Sequence, residues 1–155
     1  MTLQEQIDNL DFQSQIKLCL ELTSLAKNVW ENFTRGKTVN YVDSVVGLSH
    51  SIKSDLLSRT IEEVSKTKLN NKKIEQLKKE FEDPIISIQD LDLKLPDPVE
   101  KAFHSVHNLL ELKPKSKQTI FGESYAYLIV NQAIDSISSS KIKTDEEIKN
   151  ILACY

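Results

Sequence analysis

The chain has 155 residues, enough for one domain with a buried core. Its 39% hydrophobic and 28% charged residues are typical of a folded soluble protein rather than a disordered one. The formal net charge of −3 and the scarcity of arginine, only Arg35 and Arg59, argue against a nucleic-acid partner. Arginine is the residue that best makes bidentate contacts to phosphate and guanine.

Targeting and membrane signals are also missing from the sequence. The amino terminus has no basic region followed by an apolar run, so we expect no secretory signal. No stretch approaches the roughly 18 apolar residues of a membrane span. Cys19 and Cys154 lie far apart, without the spacing of a metal site. These features predict a cytoplasmic protein that has no membrane or cofactor as a partner.

Apolar residues at helical spacing predict an all-α fold, a single domain over residues 1–155 built from about six helices. A further short helix is predicted at residues 41–48. The helix at residues 124–138 is the most apolar and is expected to be central, packed chiefly by the helices at residues 12–34 and 98–112. The six main helices are expected at residues 12–34, 54–66, 71–81, 98–112, 124–138 and 144–155.

Punctuation residues set the expected helix ends. A helix through Phe81 should end before Pro84, and Ile85 to Leu95 should then form an irregular or short helical acidic connector. Asp97 and Glu100 are placed to form a capping box at the start of the next helix. Thr144 and Glu147 predict a second capping box. Residues 113–119, KPKSKQT, are expected to be a solvated linker.

Charge is distributed in two adjoining blocks. Residues 66–79 hold six lysines and one acid, whereas residues 80–100 hold seven acids and one lysine. One interpretation is two solvated surfaces that happen to adjoin. The alternative is an acidic ridge that docks a basic partner and speeds its association. The ridge would consist of Glu82, Asp83, Asp90, Asp92 and Asp97.

A second candidate site is a stripe on the predicted helix at residues 98–112. It consists of Glu100, His104, His107 and Glu111, which lie within about 60° of one another on a helix. Such residues could hold a metal ion, with His50 as a further ligand. The apolar side of this helix is centred roughly 130° away, so the sequence favours a water-facing stripe instead.

Catalytic motifs are absent: the sequence contains no glycine-rich phosphate loop, nucleophile elbow or Cys-x-x-Cys. Ser49 and His50 are adjacent, but neighbours in sequence rarely present a nucleophile to its base. The chain is therefore expected not to be an enzyme.

Three segments resemble those of small, all-helical, uncharacterised bacterial proteins of the polymorphic-toxin immunity-protein kind. The segments are SVVGLSHSI (residues 44–52), DPIISIQDLDLKLPDPVEKAFHSVHNLL (residues 83–110) and YLIVNQAID (residues 127–135). Immunity proteins bind and neutralise a toxin made by the same cell. The resemblance implies a small, acidic, non-enzymatic binding protein and assigns no functional residue.

Three functions follow as hypotheses. The first is a protein-binding protein, most concretely an immunity-type inhibitor of a basic toxin domain. The second is a metal-dependent helical-bundle enzyme that uses the stripe on the helix at residues 98–112. The third is a homodimeric structural or adaptor protein. The sequence alone leaves monomer and homodimer both open.

Overall fold

The structure is a computed structural model that describes residues 1–113 and 122–155. Within these residues the fold is predominantly helical, as predicted, with one small antiparallel sheet. The elements in chain order are α1 (Leu3–Asp8), α2 (Phe12–Thr34), β1 (Val39–Val42), β2 (Ser49–Ile52), α3 (Leu56–Val64), α4 (Asn71–Gln89), α5 (Asp97–Leu109), α6 (Tyr125–Ser139) and α7 (Asp145–Leu152).

The core lies where α2, α5 and α6 pack together. Three aromatic rings run through it: Trp30 lies 5.4 Å from Phe103, and Phe103 lies 4.9 Å from Phe81, between ring centroids. The indole N–H of Trp30 donates a 2.9 Å hydrogen bond to the carbonyl of Ser54. A buried polar group thereby gains a partner, and the segment that joins β2 to α3 is fixed to the core.

The prediction that the most apolar helix is central is confirmed. Ala126, Val130, Ala133 and Ile137 on α6 are buried, and α6 packs against both α2 and α5. Small alanines alternate with branched residues on this face, so a neighbouring helix can approach closely.

One predicted capping box is confirmed and the other is wrong. At α7 the Thr144 hydroxyl accepts from the Glu147 N–H, and the Glu147 carboxylate accepts from the Thr144 N–H. At α5 the residue before the helix is Pro96, and Asp97 already lies in the first turn without a capping bond. Asp97 instead pairs with Lys101 at 3.3 Å. The ring of Pro96 restricts its backbone angle φ, and Pro96 takes the extended position before the helix that the prediction gave to Asp97.

The short helix predicted at residues 41–48 is wrong, because this segment forms most of a β-hairpin. β1 and β2 pair antiparallel, with Tyr41 opposite His50 and Val39 opposite Ile52. Tyr41 and Ile52 are buried, whereas alternate residues such as Val42 face solvent. Each strand has only four residues, too few for the alternation to be separated from a helical stripe.

The predicted end of a helix before Pro84 is also wrong, because α4 continues to Gln89. Pro84 has no N–H for the Glu80 carbonyl, a defect of roughly 3 kcal/mol inside a helix. Phe81, Pro84 and Ile88 are all buried, and we attribute the continuation to this packing. The connector before α5 is therefore restricted to residues 90–96.

Two further features complete the fold. The short helix α1 was not predicted, although Thr2 and Glu5 form a capping box at its start. The predicted linker at residues 113–119 lies, apart from Lys113, outside the described residues. In the described part of the chain, none of the helices has the length and apolar character that crossing a membrane requires.

Candidate protein-docking surface

Large apolar side chains are exposed together around the β-hairpin. Leu48 is 58% exposed, Val46 69% and Val45 85%, and Val42 also faces solvent. All four lie within seven consecutive residues at the tip of the hairpin. Single exposed apolar residues are ordinary on a protein surface, but a group of this kind is typical of an interaction site.

The tip of the hairpin is held in a defined shape by Asp43. The Asp43 carboxylate accepts the N–H of Val45 at 2.8 Å and that of Val46 at 2.9 Å, and the Asp43 carbonyl accepts the Gly47 N–H. Gly47 adopts a φ of +71°, which glycine tolerates and most residues do not. Hydrogen bonds from Val46 and Val45 hold the pKa of Asp43 below its usual value, so the carboxylate stays ionised.

Two contacts fasten the hairpin to the rest of the fold. The Ser44 N–H donates to the Asp92 carboxylate at 3.0 Å, which joins the hairpin tip to the connector. The His50 ring lies 3.4 Å from Asp43 through Nε2 and 4.0 Å from Asp83 on α4 through Nδ1. His50 also stacks on Tyr41 at 5.2 Å between ring centroids. The exposed valines are therefore presented on an anchored element.

The connector adds an apolar side chain to the same region. Leu91 is 70% exposed and directly precedes Asp92, which contacts the hairpin tip. Its backbone φ is +63°, a left-handed conformation that leucine rarely adopts. The N–H groups of Asp92 and Leu93 both donate to the Ser87 carbonyl and hold this conformation. We name the group of Val42, Val45, Val46, Leu48 and Leu91 the apolar patch.

The structure brings only part of the predicted acidic ridge to this patch. Asp83 contacts His50, Asp92 contacts Ser44, and Asp90 lies seven residues after Asp83, on the same side of α4. Glu82 is exposed on an adjoining face of α4.

Asp97 does not join this group of acids, because it shares Lys101 with Asp135 of α6, each at 3.3 Å. Asp43, which sequence reasoning missed, belongs to the surface instead. Its position before the turn residues of a hairpin would have been a signal only if the hairpin had been recognised.

The structure does not gather Glu100, His104, His107 and Glu111 into one set of metal ligands. The four residues are half-buried rather than water-facing. Two of them contact α4: the His107 ring lies 5.2 Å from Phe81 between centroids, tilted by 44°, and Glu111 lies 3.5 Å from Lys78. His104 lies 3.6 Å from Glu100. Across residues 1–113 and 122–155, no three His, Cys, Asp or Glu side chains are placed to hold a metal ion. Burial lowers the pKa of both imidazoles.

Two other locations also carry no catalytic arrangement. Ser49 and His50 are consecutive in a strand, so their side chains point to opposite faces of the sheet. A cavity of about 290 Å³ between α3 and α4 is lined by charges that pair with each other. Arg59 binds Glu80 through two bonds of 2.9 and 2.8 Å, and Lys66 binds Glu63 at 2.8 Å. The Arg59–Glu80 pair joins α3 to α4, whereas the Lys66–Glu63 pair is local to the end of α3.

No family model matches this chain, and neither a curated protein nor a solved structure matches it. The resemblance to immunity proteins therefore stays a prediction.

Proposed function

We propose that this chain is a non-enzymatic protein-binding protein that docks a basic partner on the apolar patch and the acids around it. Most concretely, we propose an immunity-type inhibitor of a basic toxin domain. The observation that carries the proposal is the anchored hairpin tip, where exposed valines and Leu91 adjoin Asp43, Asp90 and Asp92.

The two kinds of residue have different roles in such an interface. Burial of the apolar patch supplies affinity, at about 25 cal/mol for each Å² removed from water. The acids speed the encounter with a basic partner and select against acidic ones. Because the hairpin tip is already ordered by Asp43, little conformational entropy is lost on binding.

The charges of α4 are consistent with a binding role. The first turn of α4 contains Lys72 and Lys73 and no acid, and no basic residue lies in its last turn, next to Asp90. This arrangement opposes the helix macrodipole, which favours acids at the start and bases at the end by about 0.3–1 kcal/mol each. The macrodipole therefore does not explain the acidic C-terminal end of α4 at Asp90, which suits recognition of a basic partner.

The first experiment reverses one acid of the surface. A partner that copurifies from the native host would be produced separately, and its association rate would be measured against salt concentration. We expect Asp90→Lys to lower the rate constant at low salt by roughly three- to tenfold, because it removes attraction and adds repulsion.

The matched control is Glu146→Lys, which changes the charge equally at an exposed residue of α7. It should leave the association rate unchanged. Equal rates for Asp90→Lys and the unaltered protein would show that the acids near the hairpin are only a solvated surface.

The same exposed patch also favours the third hypothesis, a homodimeric adaptor, because two copies could bury it against each other. Light scattering over a range of concentrations separates the two functions. A mass that stays monomeric would exclude the homodimer, whereas a dimer abolished by Val45→Asp would favour it.

A further inference from the structure

The hairpin leaves the outer edge of β1 without a strand beside it. The Asp43 N–H donates to the Leu48 carbonyl at 3.0 Å, and backbone pairing in an antiparallel ladder alternates from that point. Val39 and Tyr41 therefore bond across to β2, while Asn40 and Val42 direct their N–H and carbonyl groups outward. In the described part of the chain, no hydrogen bond reaches these outward groups.

Apart from its short length of four residues, this edge lacks the features that usually prevent strand addition. Exposed edges are normally protected by a proline, a charged residue, a bulge or a covering helix. β1 has the sequence Val39-Asn40-Tyr41-Val42, with no proline and no charge. α4 approaches the inner face of the hairpin through Asp83 and His50, and the connector contacts Ser44. Within residues 1–113 and 122–155, neither of them bonds to the outward backbone groups of Asn40 and Val42.

The side chains on the solvent face distinguish β1 from β2. An added strand beside β1 would place its own side chains next to Asn40 and Val42, and Val42 is 55% exposed. Beside β2 the corresponding neighbours are Ser49 and Ser51, which offer little apolar contact. Cross-strand apolar pairs contribute roughly 0.2–1 kcal/mol each, so β1 is the more favourable edge.

The surrounding charge indicates the chemistry of the occupant. The turn end of β1 leads into Asp43, and Asp92 of the connector bonds to the next residue, Ser44. At this end, lysine or arginine in the added strand would therefore meet carboxylates, whereas glutamate or aspartate would be repelled. The opposite end of β1 follows Lys37, so the selection acts beside the turn.

We propose that β1 accepts an extended segment of the partner protein as a third strand, in which lysine or arginine residues alternate with apolar ones. This inference rests on the proposed binding function and specifies its mode. Backbone hydrogen bonds to Asn40 and Val42 align the segment, and the apolar patch and nearby acids select its side chains.

The probe is a capped seven-residue peptide of alternating lysine and valine, compared with one of alternating glutamate and valine. Amide hydrogen exchange of the full chain would be followed by NMR. We expect the lysine peptide to slow exchange at Asn40 and Val42 by at least about tenfold at saturation. The glutamate peptide should leave these amides unchanged.

Proline substitution supplies the matched variants. Asn40→Pro removes an outward N–H, which an edge strand tolerates, so the hairpin should persist while the added strand loses a bond. Asn40→Ala retains the N–H. We expect peptide binding to be at least about tenfold weaker for Asn40→Pro than for Asn40→Ala.

Several outcomes would overturn strand addition. Three of them concern the peptide: no binding of the lysine peptide, binding without protection of Asn40 and Val42, or equal affinity of the two Asn40 variants. The fourth is protection that rises with protein concentration alone, which would identify a second copy as the occupant. Equal protection by the glutamate peptide would overturn the selection of a basic strand, although addition to β1 itself would stand. The association-rate test with Asp90→Lys still decides the proposed function, because it does not depend on strand addition.

Discussion

At the scale of single residues, Leu91 occupies a position that would suit glycine better. It follows Asp90, the residue that caps the C-terminus of α4, and has a φ of +63°. Glycine is the residue most often found there, because other side chains are strained by about 1 kcal/mol in this conformation. Leu91 is 70% exposed, so packing in the free protein recovers little of that energy. A contact with a partner would account for the leucine.

We predict that Leu91→Gly raises the free energy of unfolding by about 1 kcal/mol and weakens partner binding. Leu91→Ala is the control, because it removes the same apolar contact but keeps the backbone strain. Urea midpoints and binding constants of both variants provide the measurement. A lower midpoint for Leu91→Gly than for Leu91→Ala would contradict the strain argument.

At the scale of elements, α6 depends on burial over most of its length. It lies between α2 and α5, and Val130 is fully buried near the middle of its packed face. Glu111, just beyond α5, is half-buried and lies 3.5 Å from Lys78 of α4. Val130 therefore tests a fully buried position of the helix packing, and Glu111 tests a partly solvated one.

We predict that Val130→Asp lowers the free energy of unfolding by several kcal/mol, since it buries a carboxylate without a partner. Glu111→Ala should lower it by no more than about 0.5 kcal/mol, because a partly solvated ion pair contributes little. Urea unfolding followed by circular dichroism measures both. Similar midpoints would show that the face assigned to the core is wrong.

Helices whose start or buried face is marked by residues within one or two turns could be predicted from the sequence. The Thr144–Glu147 capping box and the alternating small and branched residues of α6 need only neighbours within a turn or two. The signal for α1 was also present, in Thr2 and Glu5, and was overlooked. The path of α4 through Pro84 was not predictable, because it depends on burial among residues distant in the sequence.

The hairpin was likewise not predictable from local sequence, and the candidate site depends on the hairpin. Asp83, Asp90 and Asp92 were recognised from their density in the sequence, but what they surround was not. Val45, Val46 and Leu48 became a candidate surface only when pairing of β1 with β2 placed them at an exposed turn. Pairing between strands is set by the chain as a whole, so sequence reasoning predicted a helix there.

At the scale of the whole molecule, stability should depend on pH through His104 and His107. Burial lowers the pKa of each imidazole below its usual 6.5, and the neighbouring His104 lowers that of His107 further. The folded chain then binds fewer protons than the unfolded chain just below pH 6.5. The contribution of these two residues to the free energy of unfolding is complete above that pH. It is lost as the pH falls through their lowered pKa values.

We predict that the urea midpoint decreases steadily between pH 7 and pH 5, and that replacing both histidines with glutamine reduces this slope by about half or more. Carboxylates with lowered pKa, such as Asp43 and Glu80, start from ordinary values of 3.8 and 4.5, so most of their contribution is lost at lower pH. Glu100, Glu111 and Lys78 face the two imidazoles, and the substitution leaves them in place. An unchanged slope in the double variant would show that both imidazoles titrate alike in the folded and unfolded chain, and that α4 does not exclude water from them.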